Sequence, residues 1–356
     1  MIQIIKEMLD NVLDSVIKRD ETLIFFPTIG SFDSKEGAWI VDIHAWIFEP
    51  EEDSRFRNEI IERFGKILIG EKIEGEPFES RARMFLVDNE RNKKITIRFG
   101  DKQFKIKETT NDNGQLKSQI ILSEEEVKRL QQESGSEEWI IFQAVLPDND
   151  NRVFKGVVQL LRPQGISVIS DIDDTIKVSE VTHPDRKTLL RNTFVNEFKP
   201  IEGMAEIYSE WKKKGMRFHY LSGSPWQLFV PLTEFIHEAG FPMGSMHLRE
   251  FSWDVEDLLR FFSSPEDYKK NFIEEFINRF PERRLILVGD SGEVDEEIYR
   301  DIYLKYRNQI QKILIRNIKS NDSGSGLSLK VFRNVPNQKW TIFEEPSELK
   351  WLDLVF

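Results

Sequence analysis

The sequence contains no cysteine and no long apolar run. The absence of Cys among 356 residues excludes structural disulfides, thiolate-ligated zinc, iron–sulfur clusters and thiol catalysis. No apolar stretch approaches the roughly 18–20 residues that cross a bilayer. Acidic residues also interrupt what would be the apolar region of an N-terminal signal peptide. We therefore expect a soluble, cytoplasmic protein with no transmembrane segment.

Basic residues are outnumbered by acidic ones, 50 Lys and Arg against 62 Asp and Glu, which gives a net charge of −12. A broad nucleic-acid surface needs an excess of cations, so we expect no nucleic-acid partner. The chain has ample core material, with 27 Phe and 8 Trp. Its length allows two or three domains.

The hydrophobic pattern changes twice along the chain. Residues 1–20 carry an apolar stripe at helical spacing and predict an amphipathic helix that docks on a core. Residues 21–162 show short alternating runs, which predict a β-rich accessory domain of the sandwich or small-barrel type. Within it, ARMFLV (82–87) is predicted to be a strand and SRFRNEIIERFGKIL (54–68) a helix.

Residues 163–319 alternate five apolar, strand-like runs with helical segments, which predicts βαβ units and a parallel sheet. The fold class expected from this pattern is α/β. Residues 320–328 are typical of a flexible linker. The final segment KWTIFEEPSELKWLDLVF (339–356) holds two Trp and two Phe, so residues 320–356 are expected to be a linker and a tail that packs back on a domain.

Chemically reactive side chains follow three of these strand-like runs. They are Asp171, Asp173, Asp174 and Thr175 after the first run, Ser222 and Gly223 after the second, and Asp290 and Asp295 after the fourth. Ligands gather at the carboxyl ends of parallel strands, so we expect these residues to meet there. A solvated acidic loop would give the same DxDD pattern.

The combination suits metal-bridged phosphoryl transfer, which needs a nucleophilic carboxylate, an acid/base, a hydroxyl, a cation and further carboxylates. Hard oxygen ligands favour magnesium. The cation would be Lys269 or Lys270.

The order of these motifs is that of the haloacid dehalogenase superfamily of aspartate-nucleophile phosphatases. The sequence more closely resembles the actin-patch type phosphatidate phosphatase family, whose catalytic domain is related to that of the lipins. The resemblance is carried by ISDIDDTIKVSEVTH (169–183), FHYLSGSPWQL (218–228) and FPERRLILVGDSGEVDEEIY (280–299). It implies a Rossmann-like parallel sheet with a minimal cap.

The resemblance also implies roles for individual residues. Asp171 would be the nucleophile that forms a phosphoaspartyl intermediate, and Asp173 would protonate the leaving oxygen and then activate water. Ser222, Gly223 and Lys269 would bind the phosphoryl oxygens. The magnesium ligands would be Asp171, Asp173 through its backbone carbonyl, Asp290 and Asp295, the last directly or behind the first ligands.

Short gaps between the motifs leave no room for a separate lid domain. We count one loop and one helix between Asp173 and Ser222, and about one βα unit between Ser222 and Lys269. Since a lid is the usual means of excluding water, its absence favours a large or membrane-borne phosphomonoester that covers the site itself. The aromatic residues that could touch acyl chains are Trp226, Phe229, Trp253, Phe261 and Phe262.

Three functions are compatible with the sequence. The first is magnesium-dependent hydrolysis of phosphatidate to diacylglycerol during transient contact with a membrane. The second is the same chemistry on a phosphoprotein, a lysolipid or a soluble phosphoester. The third is a non-catalytic phosphatidate-binding module, which would predict loss of Asp171 or Asp173, although both are present.

Overall fold

The computed structural model describes residues 17–50, 61–62, 65–66, 69–70, 72–73, 75–251, 266–292, 294–318 and 330–351. Contacts divide the chain into two units, Met1–Arg57 with Arg83–Pro163 and Asn58–Ala82 with Gln164–Phe356. Most of the predicted helix over 1–20, most of the helix over 54–68 and the linker over 320–328 lie outside the described residues.

The described strands of the first unit form one nine-stranded sheet, in which β1, β3, β2, β9, β8, β5 and β6 follow one another while β4 and β7 also pair with β3. The strands are β1 Thr22–Phe25, β2 Thr28–Asp33, β3 Ala38–Glu49, β4 Asp88–Asn89, β5 Thr96–Phe99, β6 Lys102–Lys105, β7 Gln115–Ser123, β8 Trp139–Ala144 and β9 Lys155–Leu161. All these pairings are antiparallel except that of β2 with β9.

Alternate residues of these strands share one hydrophobic core. On β3, Trp39, Val41 and Ile43 all belong to it, as expected for a strand whose successive side chains point to opposite faces. Phe25 of β1 and Phe142 of β8 meet there with ring centroids 4.7 Å apart. Strands far apart in the sheet order therefore enclose a common core.

The strand predicted for ARMFLV is wrong. Residues Glu76–Arg83 form helix α1, with Phe78, Arg81 and Ala82 buried at helical spacing. A second helix, α2 Glu124–Ser134, is also absent from the sequence prediction. Its capping box, in which Ser123 and Glu126 satisfy each other's backbone N–H groups, is a sequence signal that marks this start.

The second unit contains a six-stranded sheet in the order β12, β11, β10, β13, β14, β15 among its described residues. The strands are β10 Ile166–Ser170, β11 Arg217–Pro225, β12 Ser245–Arg249, β13 Arg284–Asp290, β14 Ile310–Arg316 and β15 Trp340–Phe343. Every pairing is parallel. The α/β class and the parallel sheet predicted from the sequence are thereby confirmed.

Helices alternate with these strands as the apolar pattern predicts. They are α3 Arg186–Phe194, α4 Met204–Lys213, α5 Phe229–Glu238, α6 Glu266–Arg279 and α7 Asp295–Lys305, with short 3-10 turns at Trp226–Leu228, Phe332–Asn334, Asn337–Lys339 and Pro346–Trp351. Two helices, α3 and α4, lie between Asp173 and Ser222, which corrects the expectation of one. Asp185 caps the unexpected α3 by accepting from the Lys187 N–H.

The tail supplies the sixth strand, because β15 pairs with the edge of β14 and buries Phe343. No helix among the described residues has the length and apolarity needed to span a membrane.

Candidate active site

The second sheet reverses its strand order between β10 and β13. From β10 the chain builds outward through β11 and β12, and then returns to place β13 on the other side of β10. Such a reversal opens a crevice at the carboxyl ends of the two central strands, where ligands of open α/β sheets bind. Asp171 directly follows β10, and Asp290 ends β13.

A buried lysine joins two carboxylates in this crevice. The Lys269 Nζ lies 2.8 Å from Asp171 Oδ1 and 2.8 Å from Asp295 Oδ1. Thr175 donates its hydroxyl to Asp171 Oδ2 at 3.1 Å. Asp171 is 2% exposed and Lys269 and Asp295 are 0% exposed, so these charges interact with little screening by water.

Asp290 completes a cluster of three buried carboxylates. One oxygen from each of Asp171, Asp290 and Asp295 lies within 4.8 Å of the others. The close approach of Asp295 requires the glycine before Asp290, since a Cβ at Gly289 would lie 2.3 Å from Asp295 Oδ2. The Gly292 N–H donates to Asp290 Oδ1 at 2.5 Å.

Asp173 points to a different set of partners. Its Oδ1 lies 2.8 Å from Lys177 Nζ and accepts from the Ser179 hydroxyl at 2.6 Å. Its Oδ2 accepts from the Ser222 hydroxyl at 3.1 Å and from that of Ser224 at 3.4 Å. The Asp173 side chain is therefore held on both oxygens.

These partners determine the charge of Asp173. Burial works to raise its pKa, but the adjacent Lys177 charge and the hydrogen bonds outweigh burial and hold the pKa of Asp173 at about 2. Asp173 is consequently ionised in the protein without a ligand.

Asp174 organises the loop that carries these partners. Its carboxylate accepts backbone N–H groups of Ser179, Glu180 and Val181 at 2.8, 2.9 and 2.7 Å. Its own backbone is left-handed, with a φ of 51°, which Asp tolerates better than most residues. Arg316, at the end of β14, donates to the Asp174 carbonyl at 2.8 Å. The third acid of the DxDD motif is thus a structural residue.

Ser222 and Gly223 lie where the pairing of β11 with β12 shifts register. Ser222 is fully buried and its hydroxyl contacts Asp173, so the structure connects the second motif to the acid/base candidate. Lys270, the alternative cation, lies 3.4 Å from Asp301, and the side chains of Lys270 and Asp301 are 39% and 40% exposed. Lys269 is the lysine that reaches Asp171.

Two residues of the cluster around Asp173 were not predicted, Lys177 and Ser179. Both are buried, at 1% and 0% exposure. Their signal was their position four and six residues after an acidic residue in an otherwise apolar segment. A lysine that follows three carboxylates in sequence is usually solvated, so this position alone does not predict a role in the site.

Other residues singled out in the sequence lie elsewhere. Trp226 and Phe229, suggested as acyl-chain contacts, are buried at 4% and 8% exposure, so the suggestion is wrong for these two. Trp253, Phe261 and Phe262 lie outside the described residues.

The second unit is thus a parallel α/β domain with a carboxylate–lysine centre at its topological switch point. Residues 166–317 match the family model described as the catalytic domain of phosphatidate phosphatase APP1. This match confirms the resemblance to the actin-patch type phosphatidate phosphatase family over that segment.

Two curated relatives support the match. The chain is 38% identical over 157 residues to phosphatidate phosphatase APP1 of Saccharomyces cerevisiae, which covers 43% of this chain and 26% of that protein. It is 30% identical over 196 residues to an uncharacterized protein of Schizosaccharomyces pombe, which covers 53% of this chain and 31% of that protein. The chain therefore spans about a third or less of the length of these relatives.

Proposed function

We propose that this protein is a magnesium-dependent phosphatase that hydrolyses phosphatidate to diacylglycerol and phosphate through a phosphoaspartyl intermediate. The observation that carries the proposal is the placement of Asp171. Its carboxylate follows β10 at the switch point, contacts Lys269 and Thr175, and lies in the segment that matches the phosphatidate phosphatase catalytic domain.

In the first step, an Asp171 oxygen forms a bond to phosphorus as the bond from phosphorus to the lipid oxygen breaks. Asp173 gives a proton to that lipid oxygen, which leaves as the hydroxyl of diacylglycerol. Lys269, Ser222 and the backbone at Gly223 bind the phosphoryl oxygens and offset the charge that spreads over them.

In the second step, water attacks the phosphorus of the phosphoaspartate. Asp173 takes a proton from that water, the bond from phosphorus to the Asp171 oxygen breaks, and inorganic phosphate leaves. The proton that Asp173 takes from water in this second step is the one that it gives to the leaving oxygen of the next substrate. Asp173 must gain a proton before the first.

The carboxylate cluster fits a divalent cation. Asp171, Asp290 and Asp295 together carry three negative charges when ionised, and Lys269 offsets one. The excess is expensive to bury, and all three groups present the hard oxygen atoms that Mg²⁺ prefers. Asp171, Asp290 and the Asp173 carbonyl would hold the ion, with Asp295 as a further ligand. Bound Mg²⁺ would stabilise negative charge on the transferred phosphoryl group.

The choice of phosphatidate rests on the relative whose printed name is phosphatidate phosphatase APP1. The short segments between the catalytic motifs agree with a substrate that covers the site itself. We propose that the enzyme meets its lipid by transient contact with a membrane from the cytoplasm. Since Trp226 and Phe229 are buried, that contact must use other residues.

Phosphate release from a panel of phosphomonoesters tests the proposal. The panel contains phosphatidate in detergent micelles, lysophosphatidate, a phosphopeptide and p-nitrophenyl phosphate, each with millimolar Mg²⁺ and with chelator. We expect the highest kcat/KM on phosphatidate, loss of activity with chelator, and no activity in Asp171→Asn.

The other outcomes identify the alternatives. Preference for another ester would keep the mechanism and replace the substrate. Tight phosphatidate binding with no phosphate release from any ester would identify a lipid-binding module. Full activity in Asp171→Asn would refute the aspartate mechanism.

A further inference from the structure

The proposed acid/base residue has a support that the mechanism above does not use. Lys177 and Ser179 both contact Asp173 Oδ1, at 2.8 and 2.6 Å. The two also contact each other, Lys177 Nζ to Ser179 Oγ. Two buried polar groups thus meet at one carboxylate oxygen.

The surroundings of Lys177 keep this arrangement dry and rigid. Its side chain is 2% exposed, and its Nζ lies 4.9 Å from the centre of the Phe198 ring. The same ring contacts the buried Arg81 guanidinium at 3.7 Å. Arg81 in turn donates to the carbonyls of Thr193 and Asn196, at the end of α3. Residues of helices α1 and α3 therefore hold the Phe198 ring against Lys177.

The backbone fixes the lysine as well. The Lys177 carbonyl accepts from the Asp174 N–H at 2.7 Å, and the Lys177 N–H donates to the Ile172 carbonyl at 3.0 Å. Ser179 is held by its N–H bond to the Asp174 carboxylate at 2.8 Å. Neither Lys177 nor Ser179 needs to move to reach Asp173.

The two oxygens of Asp173 consequently differ. Oδ1 is anchored by Lys177 and Ser179, whereas Oδ2 lies 3.1 Å from the Ser222 hydroxyl, the group proposed to bind phosphoryl oxygens. A proton donor must lie within hydrogen-bond reach of the leaving oxygen, and a group that fixes its rotamer maintains that reach. The same logic applies to the third residue of a catalytic triad, which orients the base.

We propose that Lys177 and Ser179 are positioning residues that fix Asp173 by Oδ1, so that Oδ2 faces the leaving oxygen of the substrate. This inference rests on the proposed function. It predicts that losing either residue impairs protonation of the leaving group more than attack on phosphorus.

The test compares two leaving groups in the first step alone, measured as the rate at which diacylglycerol or p-nitrophenol is released in a single turnover. The second step, in which Asp173 also acts, is common to both substrates. The alcohol of phosphatidate needs a proton to leave, whereas the phenolate of p-nitrophenyl phosphate leaves without one. We expect Lys177→Met to lower the first-step rate on phosphatidate about 100-fold, the order expected for a misplaced catalytic group. On p-nitrophenyl phosphate we expect a change of less than about threefold, and on both substrates an unchanged KM. Ser179→Ala should show the same selectivity with about a tenfold loss, as for one hydrogen bond to a charged group.

A double-mutant cycle shows whether the effect passes through Asp173. In an Asp173→Asn background, adding Lys177→Met or Ser179→Ala should change the first-step rate by less than about twofold, because the group being positioned is gone. The matched control is Lys93→Met, since Lys93 is another lysine of 2% side-chain exposure, paired with Glu21. This change should affect both substrates equally, through the folded fraction alone.

Each outcome decides the proposal. Equal losses on the two substrates, or full additivity with Asp173→Asn, would overturn it. If Lys177→Met proves unfolded by circular dichroism, the Ser179→Ala cycle alone decides by the same criteria. If Asp173→Asn itself shows no leaving-group selectivity, the proposed function of Asp173 is wrong. If Asp173→Asn is selective but Lys177→Met is not, only the positioning role of Lys177 is wrong.

Discussion

Each unit buries a lysine among carboxylates, but the two groups differ in their charge balance. In the first unit, Lys93 lies 2.5 Å from the buried Glu21 and 3.1 Å from the partly exposed Glu90. In the second, Lys269 forms ion pairs with Asp171 and Asp295, and the buried Asp290 adds a third carboxylate. The first group has one fully buried charge of each sign, whereas the second brings three buried carboxylates to one lysine.

The difference separates a structural from a functional use of buried charge. A matched pair can stabilise a fold when its remaining hydrogen bonds are satisfied, and Glu21 also accepts the Lys18 N–H at 2.8 Å. Three buried carboxylates close to one another repel, and such a cluster is typical of a site that binds a ligand. The following predictions test this contrast, from the largest expected effect to the smallest.

Asp171→Asn should reduce turnover on the order of 10⁶-fold, the loss seen when a covalent nucleophile is removed. Its effect on the free energy of unfolding should stay within about 1 kcal/mol, because Lys269 keeps Asp295 as a counter-ion and the repulsion among the three buried carboxylates falls. Phosphate release and urea denaturation measure the two effects. A large loss of stability would show that Asp171 serves the fold.

Lys93→Met should lower the free energy of unfolding and leave the catalytic activity unchanged, which is the opposite of Asp171→Asn. It removes the buried partner of Glu21 and leaves that carboxylate only the Lys18 N–H bond and the half-exposed Lys18 ammonium at 3.9 Å. Breaking a buried pair in this way costs about 3–5 kcal/mol of unfolding free energy. The activity per folded molecule should remain that of the wild type. Urea denaturation and kinetics on the same preparation provide the check, with Lys102→Met, which removes an exposed ion pair with Glu126, as the mild control. An inactive but fully stable Lys93→Met would show that the buried pair of Lys93 and Glu21 serves function and not the stability of the fold.

Gly289→Ala should lower kcat about 100-fold without a comparable loss of affinity. The new Cβ would collide with Asp295, and displacing Asp295 would disturb Lys269 and therefore Asp171. The matched control is Gly156→Ala in the first unit, where a Cβ would lie 2.2 Å from the Phe142 ring. Both variants should lose stability, but only Gly289→Ala should lose activity per folded molecule.

Acid should destabilise the first unit through His44. Burial, aided by the charge of Lys117 and opposed by the Gln115 hydrogen bond, lowers the pKa of His44 to about 3. Because the ordinary value is about 6.5, the unfolded chain takes up the proton first as the pH falls. The stability that His44 contributes is complete above about pH 6.5 and is lost towards pH 3, with a loss of about 2 kcal/mol by pH 5.

The measurement is urea denaturation of the wild type and His44→Gln at pH 7.5 and pH 5. The pH-dependent loss should be about 2 kcal/mol smaller in the variant. Equal losses would show that His44 is not responsible. Burial also lowers the pKa of His219 in the second unit, so an acid-labile part should persist in the variant.

The parallel sheet and the meeting of its motifs could be predicted because both depend on local signals. Apolar runs five to seven residues long alternate with helical patterns, and parallel strands bring their carboxyl ends to one edge. That rule sufficed to place Asp171 near Asp290. The resemblance, and not that rule, predicted Lys269 over the adjacent Lys270, because the distance of Lys269 before Phe280 and Pro281 fits the family pattern better.

Other features depend on contacts that the local pattern does not contain. The helix Glu76–Arg83 buries Arg81, and an arginine in a core position obscures the helical period of the apolar residues. The support of Asp173 by Lys177 requires a loop folded by the Asp174 carboxylate, so no periodicity reveals it. The tail strand Trp340–Phe343 is four residues long, too short for alternation to mark.

The edge position of that tail strand bears on how a minimal catalytic fragment should be produced. The family match ends at residue 317, immediately after β14, and a fragment cut there would leave β14 with an unpaired row of backbone N–H and C=O groups. Such an edge pairs readily with other chains, and its loss of cover favours aggregation. Expression fragments should therefore extend through Trp351, so that β15 covers β14 and the sheet is terminated by its own chain.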